Sequence, residues 1–310
     1  MEKNSKIYVA GHKGLVGSSI VRQLEKSGYT NIITRAHEEL ELLDPKAVHE
    51  FFEKERPEYV FLAAARVGGI LANNSFPADF IRENLIVQTN VLHEAYKSEV
   101  KKLLFMGSSC IYPKLAPQPI KEEYLMTGPL EETNSAYAVA KIAGIEMCQA
   151  YYRQYGSNFI SVMPTNLYGP NDNFSPDRGH VLPALLRRFH EAKVSGADEV
   201  IVWGSGSPRR EFLHIDDLGK ACVFLMESYD DPSIVNIGTG KDVTIKELAE
   251  LIRDTIGYKG KIAWDTNKPD GTPRKQLDVN KIHRLGWHHE IELPEGLAST
   301  YKWFLENAAG

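Results

Sequence analysis

Apolar positions in the first half of the chain follow two alternating rhythms. Short, nearly unbroken apolar runs fall at residues 6–10, 31–34, 59–64, 102–107 and 159–163. Between them lie longer stretches, 14–27, 45–54, 77–98 and 136–155, in which apolar and polar positions are mixed. Leu15, Ile20, Val21 and Leu24 recur at helical spacing in the first of these, and Val48, Phe51 and Phe52 in the second. The short runs predict strands and the longer stretches amphipathic helices. The continuous hydrophobicity of 59–64 and 102–106 predicts strands buried on both faces. Strands alternating with helices predict βαβ units on a parallel sheet, an α/β fold of the doubly wound Rossmann type.

The rhythm loosens after Pro170. A helix is expected at 179–192, a strand at 200–203, a helix at 215–228, a strand at 233–236, a helix at 245–256 and a strand at 261–264. Two short helices follow Asp278 and Pro294. This pattern predicts a smaller α/β lobe that binds substrate, with a cleft between it and the first unit. The division expected is 1–170 and 171–310, with some later segments returning to the first unit. Residues 113–129 hold Pro113, Pro117, Pro119 and Pro129 and predict a loop over the cleft.

Composition narrows the function. The 310 residues carry a formal net charge of −5, which makes the chain a poor sequence-independent binder of nucleic acid. The three cysteines, Cys110, Cys148 and Cys222, are odd in number and widely spaced. Neither a disulfide framework nor a cysteine-type metal site is expected, and a reducing compartment is. No apolar run approaches a membrane span, and the one near the N-terminus is too short for a signal-peptide core. The expectation is a cytoplasmic protein.

The first predicted strand leads into Gly11-His12-Lys13-Gly14-Leu15-Val16-Gly17. Glycines between a strand and a helix permit a tight turn and close approach of backbone to a pyrophosphate, which the helix N-terminus then faces. The position of the triplet, more than the triplet itself, predicts a dinucleotide. The second strand ends at Thr34-Arg35. An acidic residue there suits the ribose hydroxyl of NAD, whereas a basic one suits the phosphate of NADP. Arg35, aided by Lys13, predicts NADP(H); the competing reading makes Arg35 a solvated loop charge.

The fourth strand ends in Gly107-Ser108-Ser109-Cys110, and Tyr137 and Lys141 follow four residues apart on one helical face. A lysine ammonium favours the phenolate, which would make the tyrosine a usable proton donor to a carbonyl. A serine at the neighbouring strand end can hold that carbonyl oxygen.

Together these motifs resemble the extended, nucleotide-sugar-modifying branch of the short-chain dehydrogenase/reductase superfamily, over nearly the whole chain. Residues 63–70 (AAARVGGI), 107–113 (GSSCIYP), 163–170 (MPTNLYGP) and 268–275 (KPDGTPRK) narrow the resemblance. They are similar to members that epimerise C3 and C5 and reduce C4 of GDP-4-keto-6-deoxy-D-mannose. The resemblance implies Cys110 as base and His180 as acid in epimerisation. It gives Tyr137 the proton of the final reduction, Lys141 its support and Ser108 a hydrogen bond. Without it, Cys110 reads as a buried apolar residue and His180 as a structural histidine. The cofactor set implied is Gly11 to Gly17, Arg35, Met106, Gly107, Ser108, Ser109, Lys141, Pro164, Thr165, Asn166, Leu167 and His180. The substrate set is Arg188, Trp203, Arg210 and Asp270, with Trp203 open to an alternative reading as core. Arg187 and Arg209 are read as solvated charges.

The chain departs from the pattern at Lys13 and His37, where relatives often carry arginine, which leaves NAD open beside NADP. A homodimer through the helices at 77–98 and 136–155 is also implied, in keeping with Val87, Leu92, Ala143 and Met147 on more than one of their faces. Two other readings compete. A C4 epimerase would keep NAD tightly bound, and a nucleotide-sensing binding protein would have lost catalysis. A 4,6-dehydratase would carry an acidic pair where Ser109 and Cys110 stand.

Overall fold

The computed structural model describes residues 1–175, 179–268 and 270–309. Pro269, inside the 268–275 motif, lies outside them.

The first half runs β1 (Ile7–Ala10), α1 (Leu15–Lys26), β2 (Ile32–Ile33), α2 (Pro45–Glu55), β3 (Tyr59–Leu62), α3 (Ile70–Ser75), α4 (Pro77–Lys97), β4 (Lys102–Met106), α5 (Ser135–Tyr155), β5 (Phe159–Pro164) and β6 (Asn166–Tyr168). Local chemistry sets the helix ends. Asp44 accepts from the backbone N–H groups of Lys46 and Ala47 to start α2, with Pro45 in its first turn. Gly156, in the left-handed conformation, stops α5. The short helix α3 was not anticipated: residues 70–75 lack a recurring apolar stripe.

The second half runs α6 (Val181–Ser195), β7 (Glu199–Trp203), β8 (Arg209–His214), α7 (Ile215–Ser228), β9 (Val235–Ile237), β10 (Asp242–Thr244), α8 (Ile245–Ile256), β11 (Lys261–Asp265), β12 (Arg274–Lys275), α9 (Asn280–Leu285) and α10 (Leu293–Asn307). The last helix is 15 residues long, where a short one is expected after Pro294.

Six strands form a parallel sheet in the order β2-β1-β3-β4-β5-β9. Strand order reverses direction at β1, so the crevice beyond the strand ends opens between β1 and β3, where the glycine turn lies. β3, β4 and β5 are buried almost throughout, as continuous hydrophobicity requires. A second sheet, β10-β8-β12 with β6 also on β8, spans the junction of the two cores. β7 and β11 pair by themselves.

Two hydrophobic cores fill the molecule. The larger surrounds the parallel sheet and takes in Leu213 to Ile237 and Leu277 to Trp287 from the second half. The smaller gathers Leu186, Phe189, Val202, Phe212, Leu248, Ile252 and Phe304. The chain therefore leaves the first core after β6, returns with α7 and β9, leaves again, and returns a second time with α9. Each buried Val or Ile contributes about 1.5–3 kcal/mol, so Val235 and Ile237 hold β9, three residues long, in place beside β5.

Candidate active site

The glycine turn is built by close approach. Gly11 has φ +86°, and a Cβ there would come within 2.8 Å of the Ala64 backbone nitrogen on β3's flank. A Cβ on Gly17 would overlap the carbonyl of Gly11. Gly14 caps α1 with no side-chain hydrogen bond, so the first N–H groups of that helix are left for a ligand. His12 sits half-buried beside them, its pKa lowered by burial and by Lys13. Lys13 is exposed at the lip. This cradle fits the pyrophosphate of a dinucleotide.

Arg35 is less free than its position implied. Its guanidinium donates to Glu55 at 2.7 Å and to the carbonyl of Thr34, and it lies over the ring of Phe51. His37 pairs with Glu41 at 3.1 Å on the surface.

Met106 and Gly107 carry the chain from β4 into a single turn of 3-10 helix at Ser109–Ile111. Ser108 caps that turn by accepting from the Cys110 N–H at 3.2 Å. The Tyr137 phenol, which α5 carries to the same spot, lies near enough to feel the Ser108 hydroxyl. Tyr137 is not tuned as the four-residue spacing implied. Burial pushes its phenol up from the ordinary value, nearby Cys110 adds to this, and the Ser108 hydroxyl opposes it. Lys141 is buried, and its ammonium donates to the carbonyl of Met106 at 2.8 Å, with the Tyr137 ring centroid 5.9 Å away. Burial pulls its pKa down to about 7. Dehydration dominates both groups.

Cys110 is half-exposed and faces a cation: the Lys275 ammonium lies 3.5 Å from its Sγ. Lys275 belongs to β12, 165 residues further along the chain. His180 is the N-cap of α6. The residue keeps solvent-exposed surface, yet desolvation by the protein around it, then the charge of Lys275, pull its pKa down. The fold thus sets Ser108, Tyr137, Cys110 and Lys275 side by side, with His180 near enough to feel the charge of Lys275.

Asn166 and Thr165 both donate to the carbonyl of Glu211, at 2.7 and 3.3 Å, which ties the chain after β5 to β8. Pro164 ends β5, and Leu167 packs against the larger core. The Glu211 carboxylate is buried and accepts backbone N–H bonds from Thr239, Gly240 and Leu277. Sequence reading missed both Glu211 and Lys275. Glu211 hid among charges in Arg209-Arg210-Glu211, and Lys275 closed a quoted motif without a role.

The proposed substrate residues gather along the second lobe. Trp203 is 63% exposed, so it is not core, and Lys268 lies over its ring at 5.4 Å. Arg188 reaches from α6 to the carbonyl of Ile201 on the same strand at 2.8 Å. Arg210 is half-buried and donates to the carbonyls of Arg209 and Thr272. Asp270 accepts from the N–H and hydroxyl of Ser205, closing the turn after Trp203. Arg187 and Arg209 instead pair with Glu191 and Asp242.

A glycine cradle at the sheet's crevice, with serine, tyrosine and lysine beside it, is the arrangement of a nicotinamide-dependent enzyme acting on a carbonyl or alcohol. A model of the NAD dependent epimerase/dehydratase family matches residues 7–238. The chain belongs to that family. Within this epimerase/dehydratase family it is 64% identical to a protein named putative GDP-L-fucose synthase 2 of Arabidopsis thaliana, over 99% of this chain and 94% of that one. It is 57% identical to the GDP-L-fucose synthase of Escherichia coli K12, over 97% of each. Among solved structures, a GDP-mannoheptose C4 reductase from Campylobacter jejuni with NADP bound superposes with a TM-score of 0.91 at 42% identity, over 98% of this chain and 99% of that one.

Proposed function

We propose that the chain converts GDP-4-keto-6-deoxy-D-mannose to GDP-L-fucose, by epimerisation at C3 and C5 and reduction of the C4 ketone, with NADPH as reductant. One arrangement supports this reading: Cys110, seated against Lys275, follows Ser108 and neighbours Tyr137, and His180 feels the charge of the same lysine. Ser108, Tyr137 and Lys141 suit reduction of a carbonyl. Cys110 and His180 are a second pair, for which plain reduction has no use. The named GDP-L-fucose synthases support the substrate, and the NADP bound by the Campylobacter enzyme supports the cofactor.

The C4 ketone acidifies the hydrogens on C3 and C5. Cys110, as thiolate, takes one of them, and its electron pair moves into an enolate. His180, as imidazolium, returns a proton to the opposite face. Ser108 holds the ketone oxygen throughout. NADPH, when bound on the glycine cradle, supplies the hydride for C4. Tyr137 protonates the resulting oxygen, and its high intrinsic pKa keeps that proton in place until charge develops there. Lys141 holds the strand end through Met106 and lies against the tyrosine ring. Arg188 and Arg210 suit the pyrophosphate of the sugar nucleotide, and Asp270 and Trp203 its nucleoside end.

Val139, Tyr152 and Tyr155 leave apolar surface exposed on α5, which supports pairing of two copies through α4 and α5. Among the described residues no helix is long and apolar enough to cross a membrane. All three cysteines are free, which supports a cytoplasmic setting.

The test is turnover of GDP-4-keto-6-deoxymannose with NADPH in deuterated water, with the product read by NMR. GDP-fucose carrying deuterium at C3 and C5, with one NADPH oxidised per turnover, is expected. Reduction without deuterium would instead establish the second reading, a plain C4 reductase, which the similarity to the GDP-mannoheptose enzyme favours.

A further inference from the structure

We infer that Lys275 is a positioning residue of the epimerisation, its ammonium seated against Cys110 so that the sulfur is held as the thiolate that removes a proton from carbon. This rests on the roles proposed above for Cys110 and His180.

The lysine is placed by backbone, not by chance reach. Lys275 pairs with Arg210 in the β12–β8 ladder. The next residue, Gln276, donates its N–H to the Gln118 side chain at 3.0 Å, and Leu277 donates to the buried Glu211 carboxylate at 2.8 Å. Three successive residues are thus tied down, and the first of them, Lys275, carries its Nζ to within 3.5 Å of Sγ.

The other charged groups around this thiol do not compete. The pocket beside Cys110 is also lined by Lys114, Glu131 and Arg274. Lys114 and Glu131 neutralise each other at 3.0 Å, and Arg274 is turned to Asp242. Tyr137, from α5, is an un-ionised phenol at neutral pH. Among the described residues no carboxylate lies within ion-pair distance of Lys275, so its charge falls on the sulfur. The same charge lowers the pKa of His180, which makes that imidazolium a stronger acid.

The proton balance closes. In the forward step the C–H bond breaks, an S–H bond forms on Cys110, and the N–H proton of His180 passes to the far face of the same carbon. Between steps the thiol loses its proton to solvent and the imidazole regains one. The lysine stays charged throughout and exchanges nothing.

An opposite charge within about 4–6 Å lowers a thiol's pKa by roughly 1–3 units, and a like charge lowers that of a histidine. Removing Lys275 takes away the cation seated 3.5 Å from the sulfur and the charge that acts on His180, so the bell of exchange rate against pH moves to higher pH. The experiment uses the full chain with NADP present and follows deuterium entering C3 and C5 of GDP-4-keto-6-deoxymannose without reduction. Alkylation of Cys110 by iodoacetamide is followed in parallel. Cys148 and Cys222 are fully buried, and Cys110→Ala supplies the blank.

Lys275→Met is expected to slow exchange at pH 7 about tenfold, and to move both limbs of its pH profile and the alkylation midpoint up by about one unit. Lys275→Arg should stay near wild type in all three. Lys275→Gln takes the place of the methionine variant should that one not fold. A slower Lys275→Met with unmoved limbs and an unmoved midpoint would mean a merely structural lysine and would overturn the inference. Full exchange in Cys110→Ala would remove the base role of Cys110, a separate failure, while the alkylation midpoints would still decide whether Lys275 holds the thiolate.

Discussion

The Lys141 ammonium donates to the carbonyl of Met106, the last residue of β4, although Tyr137 stands one helical turn away. A buried charge with one carbonyl partner weakens the native state at any pH where the lysine is protonated. Its pKa falls from 10.5 unfolded to about 7 folded. The unfolded chain therefore binds more protons between those values, and the native state gains stability as pH rises through that window. Lys141→Met should accordingly be more stable than wild type at pH 6. That advantage should shrink by on the order of 2 kcal/mol by pH 9. Urea unfolding at the two pH values reads it, and an equal advantage at both would show that the lysine is not dehydrated. The variant should lose C4 reduction.

Tyr137→Phe removes the phenolic proton and leaves Cys110 and His180 untouched. Deuterium exchange at C3 and C5 should persist, while NADPH oxidation falls by roughly 10²–10⁴. Reduction at the wild-type rate in that variant would strip Tyr137 of the proton-donor role.

Gly17→Ala puts a methyl group into the carbonyl of Gly11. The turn must open, and the N–H groups at the start of α1 move with it. NADPH affinity, followed by fluorescence titration, should drop by more than tenfold, about 1.4 kcal/mol or more. Binding at wild-type strength would mean that the pyrophosphate sits elsewhere.

Trp203→Ala deletes a side chain that is mostly in solvent. Stability should change by less than about 0.5 kcal/mol. The KM for the GDP-sugar should rise with little change in kcat, because the ring is proposed to hold the nucleoside end and not the reacting sugar. A large loss of stability with KM unmoved would return Trp203 to a packing role.

The parts of this site legible in sequence are those set by short-range geometry. The glycine turn, the Ser108 strand end and the Tyr137–Lys141 pair each lie within a few residues, and each sits where periodicity placed it. Long-range partners left no such mark. Glu211 looked like one more charge beside Arg209 and Arg210, yet it is buried because backbone N–H groups from 239, 240 and 277 surround it. β6, β8, β10 and β12 escaped notice because they are short or charged, and their pairing is decided by partners far along the chain. The pKa of Tyr137 came out opposite to the expectation because spacing reports which groups are near, whereas burial decides what nearness is worth.

The double return of the chain to the larger core bears on how such an enzyme can be rebuilt. The second half of the chain is not a cassette. Cutting after β6 and grafting a foreign second half would carry away β9, the sixth strand of the sheet, and α7, the neighbour of α1. On the substrate contacts proposed above, a change of sugar specificity, by laboratory or by descent, must therefore proceed through the helix, strand end and turn that hold Arg188, Trp203 and Asp270, with the crossing segments left in place.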